Sequence, residues 1–221
     1  MAIYQSIVGF FQEGGVFMYP IVIVLAMGLA ISIERYLFLS KTSVTNRMVW
    51  KKITPFIKAG NFQGAVGVTS KSKSAIGQIL TYGLYRIKSA ARRDDIEKAM
   101  EESLMEVMPR LEKRTHYLAT FANIATLLGL LGTIIGLINA FTAVASANPA
   151  EKADLLSASI SVAMNTTAFG LMVAIPLLLL HTVLQSKTTD IVDSLEMASV
   201  KFLNAVDERR TDAGKPAEQA A

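Results

Sequence analysis

The sequence contains no cysteine, which excludes a disulfide framework and any thiolate-ligated metal centre. Histidine occurs only twice, at His116 and His181. With no paired catalytic acid, metal-ligand spacing or nucleophile motif beside them, neither an enzymatic site nor a metal or cofactor is expected. The segments GQIL and GVTSKSKSA lack the Gly-Lys-Ser/Thr ending that a phosphate loop requires. No Lys or Arg precedes Arg35. Charge of either sign is missing from two long stretches, 115–150 and 155–186, and that absence directs the rest of the reading.

What remains is strongly apolar. Hydrophobic residues make up 52% of the 221 and the mean hydropathy is +0.40, more than a soluble domain of this size needs to fill one core. A helix rising about 1.5 Å per residue needs about 20 apolar residues to cross the hydrocarbon of a bilayer. Three runs meet that test: Gly14 to Ile33, closed by Glu34 and Arg35, and the two charge-free stretches. The latter two exceed the bilayer thickness, so their helices are expected to tilt or to project into water. The leader MAIYQSIVGFFQEGG lacks a basic n-region and no A-x-A site follows, so the first run reads as a span rather than a cleaved signal.

Orientation follows from the basic residues. Sixteen lie from Arg35 to Arg114, one (Lys152) between the second and third runs, and five from Lys187 onward. Basic loops stay cytoplasmic, which predicts an outer N-terminus, an inner C-terminus and a short outer turn joining spans two and three. Arg35, Lys41, Lys113, Arg114 and Lys187, which flank the spans, agree. With no aromatic-interleaved basic patch, the net charge of +4 reads as topology and lipid-headgroup contact, not nucleic-acid binding.

The expected architecture is an all-α integral membrane protein of three transmembrane helices with long cytoplasmic helical extensions. Its parts are a short helical periplasmic segment at 1–16, spans at 17–39, 117–146 and 155–185, and a periplasmic turn at 147–154. A helical cytoplasmic domain fills 40–116, a cytoplasmic helix 186–208 and a disordered polar tail 209–221. Asp94 and Asp95 open a helix whose acidic start suits a helix N-terminus. Beyond a kink point at Pro109 that helix is expected to run on into the second span.

Small residues recur in the second span as Ala122, Ala125, Gly129, Gly132, Gly136, Ala140 and Ala143, and in the third as Ala163, Thr167, Gly170 and Ala174, before Pro176. In lipid, helix association relies on packing at short range, which Gly and Ala permit. Polar residues accompany them: Asn123, Thr126, Thr133 and Asn139 in one span, and Ser157, Ser159, Ser161, Asn165, Thr166 and Thr167 in the other. With the turn centred near Ala150, Thr133 lies 17 residues before it and Thr167 17 after, at similar depth. Polar groups at membrane depth face protein or water, so a wet path between helices is expected. A proton relay needs a titratable group, yet neither hairpin span has an Asp or Glu. Glu34, beside Arg35 at the membrane boundary, reads as a paired interfacial charge. A partner subunit would have to supply the missing carboxylate.

The segments LATFANIATLLGLLGTIIGLINAF (118–141) and SISVAMNTTAFGLMVAIP (159–176), with the three-span topology and Glu34-Arg35, resemble the ExbB, TolQ and MotA family of ion-channel subunits, specifically its three-span ExbB/TolQ branch. The resemblance implies a pentamer around a dimer of single-span ExbD/TolR-type subunits. The transmembrane Asp of those subunits carries the proton, and their outer domains deliver force to a TonB/TolA-like or other envelope protein. It places the family's pore threonines at Thr133 and Thr167, and it implies location in a bacterial inner membrane. The chain departs from the family pattern at Val162, where a Glu is common, and at Thr126, where a Pro is. With that Glu absent and Asn165 and Thr166 present, Na⁺ stands as an alternative carried ion. A membrane scaffold and a substrate transporter are the competing classes, the latter disfavoured by the lack of an inverted repeat.

Overall fold

The computed structural model describes residues 14–87 and 92–213, all helix and connecting turns with no strand among them. The helices are α1 (Met18–Lys58), α2 (Phe62–Thr69), α3 (Ala75–Ile87), α4 (Arg93–Glu112), α5 (His116–Ser146) and α6 (Lys152–Ala213). The apolar stretches of α1, α5 and α6 are long enough to cross a membrane. The chain divides into two compact units. One comprises 1–35 and 114–184, the other 36–113 and 185–221.

The first unit is the apolar one. Met18, Ile21 and Val24 of α1, Leu118, Ala122, Ala125 and Ala140 of α5, and Ala163, Val173, Ala174 and Leu177 of α6 form its core. Leu127, Leu130, Ile134, Ile138 and Phe141 stand exposed on α5, as do Met164, Leu171, Met172, Ile175 and Leu179 on α6. Faces this apolar are stable against lipid or other membrane helices, not water.

The second unit is built around α3, α4 and the later parts of α1 and α6. Ile79, Leu80, Leu84, Ile96, Met100, Leu111, Leu195 and Phe202 are buried together with Ile53 and Leu39. A Cβ at Gly83 would lie 2.7 Å from Met100 Sδ and 2.9 Å from Phe202 Cε1, so glycine there lets α3, α4 and α6 meet. α1 ends in a Schellman turn: Gly60 takes φ +71°, its N–H donates to Ile57 O (3.0 Å) and the Asn61 N–H to Phe56 O (2.9 Å). Asn61 then caps α2, its Oδ1 accepting from Gly64 N at 2.9 Å. Arg209 donates to Lys58 O at 2.7 Å, and Arg93 pairs with Asp207 at 2.7 Å. Both ties are partly exposed, and the ion pair is worth about 1 kcal/mol or less.

The long helical extensions expected of the spans are present: α1 passes through 39–40 unbroken, and α6 carries the third span and the following 186–208 as one helix, because nothing at a membrane surface obliges a helix to stop. The helix boundaries differ from the sequence expectation in three places. α6 also takes in 209–213, which were expected to be tail; residues 214–221 and the expected helix at 1–13 lie outside the described residues. The continuous helix expected through Pro109 is replaced by a break. Pro109 sits inside α4, the Lys113 N–H donates to Pro109 O at 3.0 Å, and Arg114 then takes φ 67° before α5 begins at His116. The turn between α5 and α6 is 147–151, shorter than the 147–154 expected.

Candidate ion-pathway site

The hairpin of α5 and α6 is held at backbone contact. A Cβ at Gly129 would lie 3.2 Å from Thr167 Cα and 3.3 Å from Gly170 Cα. One at Gly170 would lie 2.7 Å from Ala125 O and 3.1 Å from Gly129 Cα. Further along the seam, a Cβ at Gly136 would meet Ala163 Cβ at 2.9 Å, and one at Gly132 would meet Thr166 Cγ2 at 2.4 Å. At Gly129 and Gly170 the neighbouring atoms are backbone, so the two helices pack at main-chain distance there, while at Gly132 and Gly136 a side chain of α6 fills the space a Cβ would take. Pro176 is different: it is exposed on α6, and Val173, Ala174 and Leu177 on the other face do the packing. Pro176 thus takes no part in the packing of α5 on α6 within this chain, because its position falls on the exposed side of the helix.

Against that seam the two mid-depth threonines come together. Thr133 Oγ1 and Thr167 Oγ1 touch one another. Thr167 Oγ1 also donates to Gly129 O at 2.9 Å, and Thr133 Oγ1 lies 3.2 Å from Gly129 O and 3.4 Å from Ala163 O. The result is a cluster of two hydroxyl and two carbonyl oxygens, uncharged and half-buried. Each hydroxyl has one proton and two lone pairs, so the cluster can pass a hydrogen bond on, or offer oxygens to a small cation, but it cannot hold a net proton at ordinary pH.

The other expected pathway residues part company with this pair. Thr166 is 2% exposed. It turns away from Thr167 by about 100° of helix and donates to Gly14 O at 2.6 Å and Val162 O at 2.9 Å. It fastens the start of the first span rather than joining the hydroxyl pair. Asn165 is half-buried and makes no side-chain hydrogen bond among the described residues. Val162 faces the same segment as Thr166, its Cγ1 3.3 Å from where a Gly15 Cβ would be. Thr126 bonds back to Ala122 O at 3.1 Å, a self-satisfied hydroxyl on the helix surface. Asn123 and Asn139 are exposed on α5.

At the other end of this unit Glu34 pairs with Arg114 (3.4 Å), and its neighbour Arg35 is 3% exposed. Glu34 is thus an ion-paired charge, and Arg114 is a partner that sequence position did not indicate. The rings of His116 and His181 approach to 6.5 Å between centroids. Among the described residues no group of three or more His, Asp or Glu is placed to hold a metal.

Sequence reasoning found the threonine pair but not its carbonyl partners, since backbone oxygens carry no sequence signal. It also missed Arg114, whose positive φ is usually a glycine's office.

Comparison with known proteins agrees with this geometry. The model of the MotA/TolQ/ExbB proton channel family matches residues 71–197, which include α3, α4, α5, the turn after it and the span portion of α6. A putative biopolymer transport protein ExbB homolog of Methanothermobacter thermautotrophicus is 28% identical over 199 residues, 88% of this chain and 68% of that protein. The Tol-Pal system protein TolQ of Haemophilus influenzae is 35% identical over 79 residues, 36% of this chain and 34% of its own. The biopolymer transport protein exbB1 of Vibrio cholerae is 47% identical over 53 residues, covering 24% and 23%. A multi-pass helical membrane chain, with paired threonines on a glycine seam and more than half its length matched, belongs to the MotA/TolQ/ExbB proton channel family.

Proposed function

We propose that this chain is the stator-like ion-channel subunit of an inner-membrane energy transducer. Five copies surround a dimer of ExbD/TolR-type single-span subunits, and proton motive force drives work on an outer-membrane transport or envelope system through a TonB/TolA-like protein. The observation that carries the reading is the Thr133–Thr167 oxygen cluster in spans that contain no acid. Such a cluster can hydrogen-bond a carboxyl group brought by another polypeptide and ease its protonation and release. By itself it has nothing to titrate. The chain is then a conduit and not an enzyme, with its N-terminus periplasmic and its C-terminus cytoplasmic, as the basic residues distribute.

The test is ion flux in proteoliposomes. The purified homomer is expected to pass few ions and the complete assembly many; equal flux by the homomer refutes a borrowed carboxylate. Thr133→Val with Thr167→Val should abolish coupling while leaving assembly intact, and unchanged coupling favours a scaffold. The four uncharged oxygens also suit Na⁺. Parallel H⁺ and Na⁺ gradients decide the ion, and flux indifferent to Na⁺ removes that second reading.

A further inference from the structure

In the second unit, α1, α3 and α4 enclose a cleft of about 440 Å³. Three of its walls carry cations, Lys41 on α1, Lys73 just before α3 and Arg110 on α4, and no Asp or Glu lines it. Neither lysine has an ion-pair partner among the described residues. Asn46 lines the same cleft, 3% exposed. Its Oδ1 accepts from the Ile76 N–H at 3.3 Å in the first turn of α3. Only the oxygen can accept that proton, so the amide's orientation is fixed. Asn46 Nδ2 is thereby left buried without any acceptor, a state that costs free energy unless something arrives to accept.

Asn46 also borders a neighbouring cleft that holds Asp190 and Asp193, but in the acid-free cleft between Lys41, Lys73 and Arg110 what satisfies a buried N–H donor is an anionic oxygen, and the lining of that cleft narrows the source. Phe38 and Leu111 line one side of it, an apolar wall that a free ion would not use. Phe38 and Lys41 follow Ile33, the end of the first apolar run, by five and eight positions. Along an α-helix those are about 8 and 12 Å, which sets Phe38 at the outer edge of a headgroup layer about 5–8 Å deep and Lys41 a few ångströms beyond it. A lysine stem reaches several ångströms toward that layer.

We propose that this cleft binds the phosphate of an anionic phospholipid, with Asn46 Nδ2, Lys41, Lys73 and Arg110 on the headgroup and Phe38 and Leu111 against its acyl chain. The lipid would clamp α1, which contains the first span, to α4, which precedes the second. The residues of this site all belong to the second unit and those of the threonine cluster to the first, and the proposal does not depend on the ion pathway.

The test uses the full chain in neutral detergent, titrated with phosphatidylglycerol or phosphatidylcholine and read by native mass spectrometry. The wild type is expected to retain phosphatidylglycerol preferentially. Lys41→Gln with Lys73→Gln should lower its retention by about fivefold for each lysine. Asn46→Asp keeps the acceptor for Ile76 but replaces the donor by an anionic oxygen, so it should lower retention with helix content unchanged by circular dichroism. Lys58→Gln with Lys98→Gln removes equal charge elsewhere and should have little effect. An equal loss in that control, or no preference between the lipids, overturns the proposal. So does binding of inorganic phosphate as tight as that of phosphatidylglycerol, which would make the cleft a free-phosphate site.

Discussion

Gly170→Ala tests whether the hairpin seam is what holds the threonine pair. The new methyl group would sit 2.7 Å from Ala125 O and 3.1 Å from Gly129 Cα, where 3.4 Å begins ordinary contact. Both obstacles are backbone, so no rotamer relieves them and α5 and α6 must part by about 0.7 Å, as close packing requires. Overpacking of this kind costs about 1–3 kcal/mol, against which alanine's better helix propensity returns about 1 kcal/mol at most. The net is a loss of up to about 2 kcal/mol. The functional loss should be larger in proportion, because parting the helices by that amount takes the 2.9 Å Thr167–Gly129 hydrogen bond beyond hydrogen-bonding reach. Gly67→Ala is the matched control. Nothing lies within 4 Å of a Cβ at that exposed position in α2, so the same change there should stabilise by about 0.5–1 kcal/mol. The assay pairs thermal unfolding of the detergent-purified chain with ion-driven coupling in cells. A Gly170→Ala protein as stable and as well coupled as the wild type would refute the argument.

Thr133→Cys with Thr167→Cys, in a chain free of native cysteine, should oxidise to a disulfide within one subunit, because the two hydroxyl oxygens touch in a single chain. A crosslinked dimer on denaturing gels, with no intrachain product, would place the pair between subunits instead. Arg114→Gly and Arg114→Ala both remove the ion pair with Glu34, but only glycine suits φ 67°. The glycine variant should be the more stable by about 1 kcal/mol in thermal unfolding, and equal stability would contradict the left-handed turn. Thr166→Val leaves Gly14 O without its 2.6 Å donor, at a cost of about 1–2 kcal/mol. Coupling should nonetheless survive in that variant, unlike in Thr167→Val; loss of coupling in both at equal stability would return Thr166 to the pathway.

Much of this was legible beforehand, and the reasons differ by feature. The spans could be read because hydrocarbon tolerates no unpaired charge, so the length of a charge-free run is itself a structural statement. The pairing of Thr133 with Thr167 could be read because a short turn forces two antiparallel helices into equal depth, and one count from Ala150 locates both. Rotation about the helix was harder. Thr166 and Thr167 are adjacent in sequence, yet one secures Gly14 and the other meets Thr133. Choosing between them requires knowing which face meets which neighbour. The break at Arg114 was hidden because Pro109 is a conspicuous marker four residues inside the helix end, while an arginine with positive φ is no marker at all.

The glycine seam and the hydroxyl cluster are one device. Thr167 Oγ1 reaches a carbonyl of the opposite helix, Gly129 O, and a carbonyl in an α-helix is normally shielded by its own neighbours' side chains. Absence of a side chain at Gly129 and at Gly170 removes that shield on both helices at the same level. The small residues thus do more than permit packing: they expose backbone oxygens to a hydroxyl from across the interface. If an arriving carboxyl group is to be met by a fixed set of partners, those partners must not wander, and two threonines anchored to one glycine carbonyl are held by the least flexible part of the chain. Stiffness at this seam and polarity at this seam therefore rise or fall together, and no substitution at Gly129 or Gly170 should be able to remove one while keeping the other.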